Sequence, residues 1–302
     1  MHSRYEQNGV IWVDLESPSR DEVQDIVDEF KVDSVVAEEL LLPSTKPHSE
    51  FRAGYVYMVL HFPALRHSHR SREQEIDFIV GKDFIVTVHY DTVDPLHKFS
   101  KVFEVHSILD KHIGTHAGFI LFSLLKKLYK SVEHEVEFVR HGLAVIEENI
   151  FTGHEVDMVE AISNSARDLL NLRQVIEPHR EVLREFETGG VTLFGEDFAP
   201  YLRATSNEYY RVHNHIMRAT ESLHELRETN NSLLTTKQNQ TMKTFTVLAF
   251  FTLPLSFLAA LFGMNTDETP FVSNPHGFWI VIGMMAIVSL CMFIYFRYKK
   301  WL

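Results

Sequence analysis

Cysteine is nearly missing: Cys291 is the single one in 302 residues. That excludes a disulfide framework and suits a reducing compartment for most of the chain. Basic excess is missing too. With 29 Lys+Arg against 41 Asp+Glu, the net charge is −12, and nucleic acid, which is bound through basic surface, is not an expected partner. Met1-His2-Ser3-Arg4-Tyr5-Glu6 has no apolar core, so no signal peptide is expected. Catalytic signatures are lacking as well: the chain has no phosphate loop, CxxC, HExxH, kinase signature or Ser/His/Asp order. Glu133-His134-Glu135 on a helix would point its members apart. These absences argue against an enzyme and against a signalling kinase.

Two long uncharged runs dominate what is present. Thr244–Phe262 and Phe278–Phe296 are each nineteen residues without a charge, long enough to cross a hydrocarbon core of ~30 Å as helices. Only fifteen residues separate them, which predicts a membrane hairpin with a small external loop. Lys237 and Lys243 precede the first run and Arg297, Lys299 and Lys300 follow the second, whereas Thr266–Gly277 carries no Lys or Arg. This bias places both termini in the cytoplasm, with Trp279 as an outer interface anchor and Tyr298 and Trp301 as inner ones. The spans hold no carboxylate or histidine to relay protons. The acidic remainder fits attraction of cations better than attraction to anionic lipid, which needs Lys/Arg clusters.

The N-terminal part alternates short strands and helices. Val10–Asp14, Tyr55–Phe62, Ile76–Val80 and Phe84–His89 read as strands, the last two joined by the turn Gly81-Lys82-Asp83. Ser19 and Glu22 form a capping box ahead of Val23, Ile26, Val27 and Phe30, an amphipathic helix. Asp33–Leu42 continues as helix and stops at Pro43. Beyond Asp94-Pro95 helices are expected over Pro95–His112, Thr115–Ile150, Glu155–Glu187 and Asp197–Phe262, with breaks at Gly114, Gly153 and Gly189-Gly190.

The last of these would extend ~100 Å if continuous. Along it Asn239, Met242, Thr246, Ala249, Leu253, Ser256, Ala260 and Gly263 keep a 3-4 spacing, with Phe245 beside them. In a parallel bundle such a stripe faces the common axis. Its small and polar members suit a pore lining, although small residues also serve tight helix packing in lipid. Neighbouring helices can satisfy the carbonyl that Pro254 frees.

Gly263-Met264-Asn265 at the outer end of the first span, a short acidic loop, a second span and the ending Lys299-Lys300-Trp301-Leu302 together resemble the CorA metal-ion transporters. Residues 76–89 (IDFIVGKDFIVTVH) and Thr241-Met242-Lys243 are similar to that family as well. The resemblance implies a funnel-shaped homopentamer. Its parts would be an α/β cytosolic domain with helical arms (1–195), a stalk (196–243), a pore-lining span (244–262), the GMN motif with its loop (263–277), a second span (278–296) and a basic tail (297–302). It implies inward movement of Mg²⁺, with Co²⁺ or Ni²⁺, across the cytoplasmic (inner) membrane and no covalently bound cofactor. By position Asn265 would ring the hydrated ion at a filter of Gly263, Met264 and Asn265, with Ser256, Leu253, Met242 and Asn239 at levels below. The hydroxyl level falls on Ser256, and Leu253 replaces the family's usual methionine beside the proline. Asp267 and Glu268 would concentrate cations at the mouth.

Magnesium-gated relatives place acidic residues between protomers. Asp91 is the candidate regulatory ligand here, but the stalk position that aligns without gaps is Ala204, with Asn207 and Glu208 nearby. The alternative within transport is a Zn²⁺ transporter of the ZntB type, possibly proton-coupled, against which Met264 argues. Eighteen histidines keep zinc in view, yet His213 and His215 would point apart on a helix, and His67 and His69 sit among arginines in an expected loop.

Overall fold

The computed structural model describes residues 2–7, 9–63, 73–91, 93, 95–101, 116–264, 275–299 and 301. His67, His69, Gly114, Asn265, Asp267 and Glu268, and the greater part of the helix expected over Pro95–His112, lie outside them. The chain divides into two compact units, Met1–Arg227 and Glu228–Leu302.

The first unit is built on a six-stranded mixed sheet. Its strands are β1 (His2–Gln7), β2 (Val10–Glu16), β3 (His48–Arg52), β4 (Tyr55–Pro63), β5 (Glu73–Gly81) and β6 (Phe84–His89), in the order β1-β2-β6-β5-β4-β3. Among the described strands only β2 and β6 run parallel, Val13 opposite Val86; the other neighbours are antiparallel. All nine residues of β4 are buried, as expected of a central strand covered on both faces. Gly81 closes the β5–β6 hairpin because a Cβ there would meet the Phe84 ring at 2.2 Å.

One face of the sheet carries α1 (Arg20–Phe30) and α2 (Ser34–Glu39). Val23 and Ile26 of α1 and Val36 of α2 close a core over Val13, Leu15, Tyr57, Val59, Ile79, Val86 and Val88. The capping box forms as expected: the Glu22 N–H donates to Ser19 Oγ at 3.3 Å and the Ser19 N–H to Glu22 Oε2 at 2.8 Å. The other face carries α3 (Gly118–Phe151), α4 (Met158–Ile176) and α5 (His179–Phe194). His179, fully buried, joins that layer to the sheet. Its Nε2 lies 2.7 Å from the His61 carbonyl and its Nδ1 2.9 Å from the Tyr129 hydroxyl.

Two helical expectations are corrected. Glu155–Glu187 is not one helix: it separates into α4 and α5 at Glu177-Pro178, where proline cannot continue the hydrogen-bond ladder. Gly189-Gly190 is not a break, since α5 runs through it to Phe194. These glycines serve close approach: a Cβ on Gly189 would meet the Phe51 ring at 2.3 Å, and one on Gly190 would meet Leu202 at 2.9 Å. The turn falls at Gly195, with φ +92°. A short 3-10 turn, Glu196–Phe198, then leads into α6 (Ala199–Phe262, 64 residues). In the first unit α6 buries Leu202, Thr205, Tyr209, Val212, Ile216, Ala219, Leu223 and Leu226, a 3-4 stripe set against α3 through Tyr209 on Tyr129 and Arg211 on Glu133.

The second unit holds the remainder of α6 and α7 (Gly277–Tyr298, 22 residues). At 1.5 Å per residue α7 is ~33 Å long, the thickness of a bilayer core. None of the most apolar stretch of α6 is buried, and 6% of that of α7. Apolar helices left this bare in a single chain require lipid or further protein around them.

Candidate functional site

In the second unit one face of α6 is covered and another is left open. Val247 is 9% exposed, and Phe251, Pro254, Leu255, Leu258 and Phe262 are half-buried. Phe296 of α7 packs on Phe250 and Phe251, with ring centroids 6.0 and 5.6 Å apart. On α7 the half-buried Met284, Val288 and Met292 lead by steps of four to Phe296, which is 4% exposed. Trp301 folds back onto Phe296 at 5.9 Å.

The residues singled out from spacing lie elsewhere on α6. Ala249, Leu253, Ser256 and Ala260 each follow a covered residue (Val247, Phe251, Pro254, Leu258) by two positions, which on an α-helix is a rotation of about 200°. They therefore occupy the side of α6 away from these covered residues. Asn239, Met242, Phe245, Ala249, Leu253, Ser256 and Ala260 are exposed, and Thr246 is half-buried. Met242, Phe245 and Leu253 expose 59%, 61% and 68%, large values for apolar side chains that share a helix face. Thr246 donates its hydroxyl to the Met242 carbonyl at 2.8 Å, and its oxygen can still accept.

α6 ends beside the motif. Gly263 forms a turn, its N–H donating to the Ala259 carbonyl at 3.0 Å, and Met264 is exposed. A Cβ on Gly263 would meet that carbonyl at 2.9 Å, so glycine suits the place where the chain leaves the helix. The last carbonyls of α6, and the negative end of its dipole, lie at this level.

In the first unit the candidate regulatory group, Asp91, follows β6 and is half-buried. Its carbonyl accepts from His89 Nδ1 at 2.7 Å, and His89 Nε2 lies 3.5 Å from Asp14 Oδ1. Burial lowers the affinity of His89 for its proton, but Asp14 and the Asp91 carbonyl raise it more, so the pKa lies above its ordinary value. Thr87 and Trp12 complete a buried chain: Trp12 Nε1 donates to Thr87 Oγ1 at 3.0 Å, and Thr87 donates to Asp14 at 2.5 Å. Spacing did not reveal this network, since it joins parallel strands 73 positions apart. Ala204 is half-buried, Asn207 exposed, and Glu208 is held by Arg211 at 2.5 Å, so Glu208 stands already paired to a cation.

The histidine pair on α6 does not converge. His213 leans on the Tyr209 ring, and His215 Nδ1 lies 3.7 Å from Glu133. Among the described residues no group of three His, Cys, Asp or Glu could hold a metal ion.

Comparison with known proteins places these elements in a lineage. Residues 7–300 match the family model of the CorA-like Mg²⁺ transporter protein. A cobalt/magnesium transport protein CorA from Thermotoga maritima is 26% identical over 96% of this chain and 83% of its own. The fold is that of the complete CorA magnesium transporter from Methanocaldococcus jannaschii, with TM-score 0.84 at 18% identity, covering 99% of this chain and 93% of that one. The full-length CmaX protein gives TM-score 0.72 at 19% identity, over 97% and 89%. A two-span C-terminal end, a mixed-sheet N-terminal unit and a family match over nearly the whole length agree: the chain belongs to the CorA-like Mg²⁺ transporter family.

Proposed function

We propose that the protein moves divalent cations, Mg²⁺ first and Co²⁺ or Ni²⁺ with it, into the cytoplasm across the inner membrane. It does so as a homopentamer whose pore is lined by α6. The supporting observation is the exposed set Met242, Phe245, Ala249, Leu253, Ser256 and Ala260, on the side of α6 away from its covered residues, with half-buried Thr246 at its edge. Placing α7 outside and the stripe inside gives each copy one face for lipid and one for a common axis.

The chemistry then follows by level. Mg²⁺ gives up its waters reluctantly and is best held while hydrated. A ring of Asn265 amides beyond the carbonyl end of α6 offers neutral hydrogen-bond partners, strong enough to collect the ion and weak enough to release it. Gly263 and Met264 complete this filter, and Asp267 and Glu268 raise the local cation concentration outside it. Ser256 and Asn239 offer polar rests below, while Leu253 and Met242 form apolar rings that close by dewetting. Asp91 is the proposed ligand for closure by internal Mg²⁺; a conductance indifferent to millimolar internal Mg²⁺ would count against that part alone.

Cysteine cross-linking tests the arrangement. In a chain with Cys291 replaced by serine, Leu253→Cys is expected to give disulfide-linked dimers in membranes, and Leu258→Cys to stay monomeric. Equal cross-linking at both positions, or at Leu258 alone, would overturn the axial placement of the stripe. Flux of Mg²⁺, Co²⁺, Ni²⁺ and Zn²⁺ into proteoliposomes, with and without a pH gradient, separates this reading from a proton-coupled zinc transporter.

A further inference from the structure

Asp77 is wholly buried in the middle of β5, on the face that α1 and α2 cover. Its Oδ2 lies 3.4 Å from each of the Tyr57 and Tyr90 hydroxyls, while Oδ1 is buried with no hydrogen-bond partner. Among the described residues no cation pairs with it. An ionised carboxylate held this way would be an uncompensated buried charge, which proteins avoid by neutralising the group. Glu75, two residues along the same face, is placed differently. Its Oε1 accepts the Ser44 backbone N–H at 2.8 Å, and its Oε2 lies 3.2 Å from His61 Nε2.

The segment between α2 and β3 crosses this site as a strap. Ser44 is tied to Glu75, and the Tyr90 hydroxyl lies within reach of the Leu42 and Glu39 carbonyls as well as of Asp77. The titratable groups facing the acid pair are Glu39 from α2, His48 from β3, Tyr57 and His61 from β4, Glu73 at the start of β5 and Tyr90 after β6. His48 pairs with Glu39 at 3.6 Å and Glu73 with His61 at 3.8 Å.

We propose that Asp77 is a neutral carboxylic acid that donates its proton to Glu75, and that this acid pair is a proton-binding latch fastening the 40–44 strap to the sheet. The proton supplies the partner that Asp77 Oδ1 otherwise lacks and leaves Glu75 as the single negative charge, facing His61. Burial and the Glu75 charge push Asp77 well above the usual carboxylate range. Burial pushes Glu75 up too, but His61, the Ser44 N–H and the Asp77 proton together hold it below its ordinary value. The signs differ accordingly. Stability from Asp77 is complete at low pH and lost as pH rises through its folded pKa; stability from Glu75 is present above its unfolded pKa and lost as pH falls. Between those limits the strap is fastened, and alkalinisation releases it.

Infrared difference spectroscopy on the full-length protein in detergent reads the proton directly. Wild type minus Asp77→Asn at neutral pH should show the carbonyl stretch of one neutral carboxylic acid. The same protein, followed by hydrogen exchange, should lose strap protection at Leu40–Ser44 several-fold more in wild type than in Asp77→Asn as pH rises from about 7 to about 9, after correction for intrinsic exchange. No acid band, or equal loss of protection in both proteins, overturns the latch. Should Asp77→Asn fail to fold, Glu75→Gln decides: removing the neighbouring charge must move loss of the acid band to lower pH. A band that stays in place shows that the two groups are not linked.

Discussion

Replacing His179 by glutamine probes a contact between sheet and helical layer in which both ring nitrogens are bonded and the ring is fully buried. A backbone carbonyl can only accept, so the His179 Nε2–H donates to His61 and Nδ1 accepts from the Tyr129 hydroxyl. Both nitrogens are used and the ring is fully buried, which pushes its pKa down to about 3. A base whose folded pKa is depressed gives stability that is present above its unfolded value of about 6.5 and is lost as pH falls toward the folded value. One proton costs ~1.4 kcal/mol per pH unit, so between pH 7 and 5 the wild type loses about 2 kcal/mol at this residue. Glutamine keeps a donor for the His61 carbonyl and leaves the Tyr129 hydroxyl without its acceptor, a cost of about 1–3 kcal/mol. His179→Gln should therefore melt below wild type at pH 7, with the gap closing by roughly 4–8 °C at pH 5. His89, whose raised pKa acts in the opposite sense, is common to both proteins and drops out of the difference. Tm curves for the detergent-solubilised pair that stay parallel from pH 7 to 5 would refute the neutral, doubly bonded His179.

Two further outcomes follow from other parts of the molecule. In the proposed pore Leu253→Ser puts a hydroxyl at an apolar level of the stripe, so Mg²⁺ leak at rest should rise well above wild type, while assembly on a sizing column stays the same; unchanged leak would remove Leu253 from the proposed gate. Thr87→Val removes the hydroxyl that accepts from the Trp12 indole N–H and donates to Asp14, and should destabilise by about 1–3 kcal/mol, read as a lower Tm. An unchanged Tm would mean that neighbouring groups replace both bonds.

The parts of the fold legible in the sequence are those whose residues carry their own instructions. β2, β4, β5 and β6 are runs of Val, Ile, Tyr and Phe, and Ser19 with Glu22 announces α1. The two strands that went unread, β1 (HSRYEQ) and β3 (HSEFR), are both edges of the sheet. Edge strands are polar because one side meets water, so they form through a partner's hydrogen bonds and leave little apolar pattern. The parallel pairing of β2 with β6 depends on long-range packing that no local signal encodes. Pro178 carries a local signal for the end of α4 inside an otherwise helical periodicity, and Gly189-Gly190, which has the composition of a break, serves contact with Phe51 and Leu202. In the membrane part the 3-4 repeat of α6 is plain in the sequence, and the structure leaves most of its members exposed. Which face α7 would cover is not plain there, because both faces are apolar and only packing distinguishes them. The buried groups Asp77, His89 and His179 were invisible for a related reason: their partners arrive from other strands and helices.

The claim that open α6 faces gather into a cation pathway entered through an Asn265 ring is tested most directly by Mg²⁺ entry into sealed vesicles. Purified protein should be reconstituted with an internal Mg²⁺ indicator and an inside-negative potential, wild type beside Asn265→Ala of matched oligomeric state. Rapid uptake by wild type, reduced at least tenfold by the substitution, is the predicted result. Vesicles that stay closed to Mg²⁺, Co²⁺ and Ni²⁺ with wild type inserted, or that fill equally fast with Asn265→Ala, would contradict it.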